Sequence, residues 1–152
     1  MRKLSIILVL TILFIGCKKE EIDNTPPEID PNFNSFPIQC SEIKRGETFT
    51  FKARFTDDIE LGSFGIDIHH NFDHHNHSTE AGECDLGTIK TPANPFVLLK
   101  NYEIPTGLKL YEASVLIDVP DDIDTGDYHF MIKVTDKAGW QTLKGVSVKI
   151  IP

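Results

Sequence analysis

The chain has 152 residues, a formal net charge of −8 and 40% hydrophobic residues, enough for one domain of ordinary size with a buried core. Its acidic balance excludes nucleic acid as an expected partner, because a phosphate backbone is recognised by a basic face. No Gly-x-Ser-x-Gly elbow, His-Glu-x-x-His helix or phosphate loop is present, so an enzyme is not expected, with a metal-dependent hydrolase left as an alternative.

At the N terminus Arg2 and Lys3 precede an apolar run from Leu4 to Ile15, closed by Gly16-Cys17. The run is shorter than the roughly 20 residues of a membrane-spanning helix and reads as the core of a signal peptide, residues 1–16. The bland alternative is a buried helix ending in a free cysteine. Leu13-Phe14-Ile15-Gly16-Cys17 resembles a bacterial lipobox, with Phe14 a bulky occupant, and the resemblance implies that Cys17 is lipidated and becomes the mature N terminus. Loss of Arg2 and Lys3 would take the charge from −8 to −10. Lys18-Lys19-Glu20-Glu21 resembles the charged tether signals of surface-exposed Bacteroidetes lipoproteins. Residues 17–34, with three prolines and little to bury, read as the lipidated cysteine and an extended tether. The expected location is the bacterial outer membrane, on the cell surface or facing the periplasm, held by an N-terminal lipid.

Apolar alternation starts where the tether ends, and residues 35–152 form the expected domain. With Cys17 carrying lipid, Cys40 and Cys84 remain as an even pair in an oxidising compartment, where a disulfide is expected; two thiolate metal ligands are the alternative. Thr48 to Phe55 alternates Phe49, Phe51, Ala53 and Phe55 against polar residues, the period of a half-buried strand. Ser63 to His69 follows with Phe64, Ile66 and Ile68 on one face. Further strands are expected at Val97 to Tyr102, Tyr111 to Val119, Tyr128 to Thr135 and Gly145 to Ile151, separated by turn signals at Asp57-Asp58, Asp121-Asp122, Thr125-Gly126-Asp127 and Lys137-Ala138-Gly139. No window has the period of an amphipathic helix. About seven short strands predict an all-β, immunoglobulin-like β-sandwich. "TPPEID" at residues 25–30 and "VPDDIDTGDYHFMIKVTDKAGW" resemble segments of bacterial immunoglobulin-like domains, where Gly-x-Tyr opens one strand and an Asp-x-x-Gly turn leads to the last.

Five of the six histidines, His69, His70, His74, His75 and His77, fall within nine residues, and a polar loop runs on from His69 to Gly87. His75-x-His77 in extended backbone projects two imidazoles to one side, a common way to present two ligands to one ion, whereas adjacent histidines face opposite ways. The sixth, His129, alternates with Tyr128 and Phe130 and points to the outer face of its strand. In an immunoglobulin-like sandwich the third and sixth strands are antiparallel neighbours, which brings the end of Ser63 to His69 beside the start of Tyr128 to Thr135. His69, His75, His77 and His129 are therefore the expected core of one metal site, with His70 and His74 as alternates or ligands of a second site. Neutral imidazole suits zinc or copper. Met131, on the face of His129, would tilt the choice to copper, and Asp67, Asp73, Glu80, Glu83 and Asp85 could orient the rings. A solvated polar loop is the alternative.

"GIDIHHNFDHHNH", the lipobox and the sandwich strands together resemble a group of Bacteroidetes lipoproteins of unknown function that share a D-I-H-H-N-F-D type motif. That resemblance implies a lipoprotein with a sandwich domain and brings no activity. The function expected is capture or handover of a transition metal ion by a membrane-anchored lipoprotein, with an outer-membrane transporter as a possible partner. The alternative is an adhesion or glycan-binding module, for which Trp140 is the one clear aromatic platform.

Overall fold

A computed structural model describes residues 22–77 and 84–152. The signal segment, Cys17, Glu80 and Glu83 lie outside the described residues. Eight strands are present: β1 Glu28–Ile29, β2 Ser41–Lys44, β3 Thr48–Thr56, β4 Leu61–His70, β5 Leu98–Glu103, β6 Leu110–Asp118, β7 Gly126–Asp136 and β8 Gln141–Ile151. They form two sheets, ordered β1-β3-β6 and β2-β8-β7-β4-β5. The protein is an immunoglobulin-like β-sandwich, and among the described residues no helix occurs.

Two strands were not legible in the sequence. β1 lies within the segment read as tether, yet Glu28 and Ile29 pair with Thr56 and Phe55 of β3, and Arg54 bridges Asp30 at 3.3 Å. The part of 17–34 from Glu28 onward thus belongs to the sandwich. β2 runs parallel to β8, pinned at its start by the Cys40–Cys84 disulfide. Both are too short to show an alternation of their own, and neighbouring strands hold them.

The aromatic face of β3 is buried as its pattern demands: Phe51, Ala53 and Phe55 pack inward with Phe64, Ile66 and Ile68 of β4 and Tyr128, Phe130, Ile132 and Val134 of β7. Phe51 stacks on Phe130 across the two sheets at 5.7 Å between ring centroids. Each such ring contributes on the order of 1.5–3 kcal/mol by burial. Tyr128 anchors the turn before β7: its hydroxyl donates to the Asp124 carbonyl at 2.7 Å and accepts from the Phe96 amide at 3.1 Å. This is the tyrosine corner of immunoglobulin-like sandwiches. Burial pushes the Tyr128 phenol above its ordinary pKa.

β4 and β7 are antiparallel and nearly equal in length, so the pair has two distinct ends. At one, His69 stands opposite His129; at the other, Leu61 stands opposite Asp136.

Candidate metal centre

Alternation along β4 sends Phe64, Ile66 and Ile68 into the core and leaves Asp67 and His69 on the outer face of the five-stranded sheet. The same rule on β7 puts His129 and Met131 outward. His129 nevertheless is 0% exposed. The chain after His70 turns back over the outer face, and the His75 carbonyl accepts a hydrogen bond from His129 Nε2 at 3.1 Å. A residue placed outside by alternation is thus buried beneath the histidine loop.

The result is a four-histidine cage. One nitrogen from each of His69, His75, His77 and His129 lies within 4.8 Å of the others. All six ring pairs are close, from 4.5 Å between the His77 and His129 centroids to 5.8 Å between His69 and His75. His69 Nε2 and His77 Nε2 are 3.1 Å apart. Nitrogens about 2.0–2.1 Å from a tetrahedral zinc stand about 3.3–3.4 Å from one another, so pairs now within 4.8 Å would draw in by at most about 1.4 Å to close the shell.

Carboxylates orient two of the rings. Asp67 accepts from His69 Nδ1 at 2.9 Å, and Asp73 from His75 Nδ1 at 2.6 Å. A proton held on Nδ1 leaves the lone pair on Nε2, the tautomer a metal ion needs. The bond from His75 also holds the Asp73 carboxyl below its ordinary pKa. His129, donating from Nε2, carries its ring lone pair on Nδ1.

His70 and His74 are not brought to the cage. Adjacent to His69, His70 points to the opposite face and its ring lies against Phe72, 5.0 Å between centroids. His74 has a φ of 57°, which turns its ring towards Asp127, 3.7 Å from Nε2 to the carboxylate. Met131 lines a groove of about 450 Å³ beside His69 and His77. Asp85 accepts from Lys149 through its backbone carbonyl, 2.8 Å away.

The far limb of the loop is fastened independently. Cys84 is bonded to Cys40, the Gly87 amide donates to Asp127 at 2.7 Å, and Lys90 donates its amide to the Phe72 carbonyl while its ammonium sits 4.2 Å over the Phe72 ring. Asp127 was not among the expected site residues. Its place two positions before His129 on the same outer face of β7 was the available signal.

No curated protein matches the sequence. Among solved structures, one described as the GspB Siglec domain is similar at 21% identity with a TM-score of 0.44, over 85% of this chain and 59% of that chain. This chain thus spans less than two thirds of that neighbour's length. The family described as "Domain of unknown function (DUF4625)" matches residues 15–151, nearly the whole sequence, and the chain belongs to that family.

Proposed function

We propose that this protein captures or hands over a transition metal ion, zinc or copper, through His69, His75, His77 and His129, as a bacterial lipoprotein anchored by Cys17. The observation that carries the reading is the convergence of four imidazoles from two strands and a loop within 4.8 Å, two of them oriented by carboxylates. Aggregates of surface histidine need neither feature. Four nitrogen donors fill a tetrahedral shell and leave no position for a reacting water, which favours binding over hydrolysis.

The anchor and the site suit one another. Cys17 precedes Asp23 by six residues, and Asp23 lies near Asp57 and Asp136, at the end of the β4–β7 pair remote from the histidines. A lipid on Cys17 would therefore hold the sandwich by one end and present the cage at the other. Three of the four histidines are partly exposed, which gives an ion a way in and a partner such as an outer-membrane transporter a way to receive it. The glycan reading would rest on Trp140, which is 46% exposed; its indole Nε1 donates to the Asp23 carbonyl at 3.2 Å, which leaves the ring face as its contact surface.

Elemental analysis of the full chain, purified in detergent without added metal and again after zinc or copper loading, tests the proposal. One ion per chain after loading, removed by chelator, is expected. A chain that takes up neither ion saturably has no such function.

A further inference from the structure

At the opposite end of the β4–β7 pair three carboxylates from separate segments meet. Asp23 belongs to the approach to β1, Asp57 follows β3 and Asp136 ends β7; one oxygen of each lies within 4.8 Å of the others. Like charges so close repel, and among the described residues no lysine or arginine is paired with any of them.

Two of these carboxylates are only half used. Asp57 Oδ1 accepts from the amides of Ile59 and Glu60 at 2.9 and 2.6 Å. Asp136 Oδ1 accepts from Gly139 and Trp140 at 2.6 and 2.8 Å. These bonds build the β3–β4 and β7–β8 turns, and one oxygen suffices for each, so an asparagine would serve without the charge. The second oxygens, Asp57 Oδ2 and Asp136 Oδ2, are sealed from solvent with no donor, and Asp136 is only 4% exposed. An ionised oxygen buried without a donor is destabilising.

The three segments are held together by other bonds. Trp140 Nε1 donates to the Asp23 carbonyl at 3.2 Å, and the Lys137 amide to the Glu60 carbonyl at 3.0 Å. Gly62 lets β4 pass so close to β7 that a Cβ there would stand 2.8 Å from the Asp136 carbonyl oxygen. The turns need only Oδ1 of Asp57 and Asp136, yet the framework brings one oxygen of each of the three carboxylates within 4.8 Å of the others.

We propose that Asp23, Asp57 and Asp136 bind calcium. Oxygen-only donors and concentrated negative charge suit a hard cation, and calcium takes six to eight oxygens at about 2.3–2.6 Å in flexible geometry, with water and carbonyls completing the shell. Magnesium demands a tighter octahedron and keeps more of its water. Bound calcium would neutralise the buried oxygens and tie the N-terminal segment to the two turns.

The test is titration of calcium chloride into the full chain in detergent after chelator treatment, read by calorimetry and thermal melting. Saturable binding of one calcium with a rise in Tm is expected. Asp23→Asn, Asp57→Asn and Asp136→Asn each keep an Oδ1 acceptor and so the local turn bonds, but replace the other oxygen with an amide group. Each should weaken calcium binding about tenfold or more while leaving zinc uptake unchanged. Asp23 lies outside the strands, so its variant reports on binding without burdening the core. A parent whose Tm does not move in millimolar calcium, or variants that bind calcium as tightly as the parent, would overturn the proposal.

Discussion

At one end of the β4–β7 ladder four imidazoles meet, and at the other three carboxylates. An imidazole is both donor and acceptor, so ring nitrogens can bond to one another and to their surroundings: His77 with His69, His69 with Asp67, His75 with Asp73, His129 with the His75 carbonyl. Carboxylates only accept. They cannot pair with each other, and Asp57 and Asp136 keep buried oxygens that no donor reaches. The histidine end can therefore stand assembled without its ion, as a site that loads and unloads should, whereas the aspartate end, while ionised, is relieved by a bound cation. Zinc should accordingly exchange readily, and calcium should act more as a structural clamp.

The comparison can be broken from the histidine side. Replacing both cysteines, Cys40→Ser with Cys84→Ser, opens a bond spanning 44 residues and should lower stability by about 3–4 kcal/mol on the chain-entropy model. Because Cys84 fastens the far limb of the histidine loop, zinc affinity should fall along with the Tm while calcium affinity holds. Urea denaturation and paired titrations check both. The next largest effect is expected from His129→Ala, which leaves the whole loop sequence intact. Loss of a ligand should exceed the 10–100-fold typical of groups that merely orient ligands; a variant that still melts cooperatively and binds zinc like the parent would refute the cage.

His129 also shows what a sequence can and cannot disclose. Strand alternation put it on the outer face, and sandwich topology put it beside His69, because both depend on local periodicity and a known strand order. Its burial depended on the path of the loop after His70, which no period encodes. β1 and β2 escaped for a related reason, since strands of two and four residues are defined by their neighbours. The aspartate cluster was hidden differently. Asp57-Asp58 and the Asp-x-x-Gly of Asp136 to Gly139 were legible as turns, and the turns are there. That an oxygen of Asp57 and one of Asp136 come within 4.8 Å of each other and of one from Asp23, in the segment read as tether, follows only from the packing of three segments far apart in sequence.

A smaller effect sharpens the account of how the rings are aimed. Asp67→Asn keeps the size of the side chain but removes the charge that favours a proton on His69 Nδ1. Zinc affinity should drop about 10–100-fold, and the loss should be confined to the histidine end. Isothermal titration with zinc and then with calcium in the same sample separates the two. An unchanged zinc constant would mean that the Asp67–His69 bond is incidental.

The smallest effect concerns the turn that supports the histidine end from beneath. Asp124 Oδ2 accepts from the amides of Ala93 and Asn94 at 2.7 and 2.8 Å, and these bonds, Asn94 first, hold its carboxyl below the ordinary pKa. A carboxyl depressed in the folded state contributes stability that is fully present above its unfolded pKa and is lost as pH falls through the folded one. The contribution should thus disappear only in acid, below the ordinary aspartate range of about 3.9. Asp124→Asn retains an acceptor oxygen but no longer titrates. In metal-free protein its Tm should fall less steeply than the parent's through that acid range, with variant and parent alike in zinc uptake at neutral pH. Parallel acid limbs would show that the loop at Ala93-Asn94 is held by its neighbours, through the Phe96 amide on the Tyr128 hydroxyl, and not by the charge on Asp124.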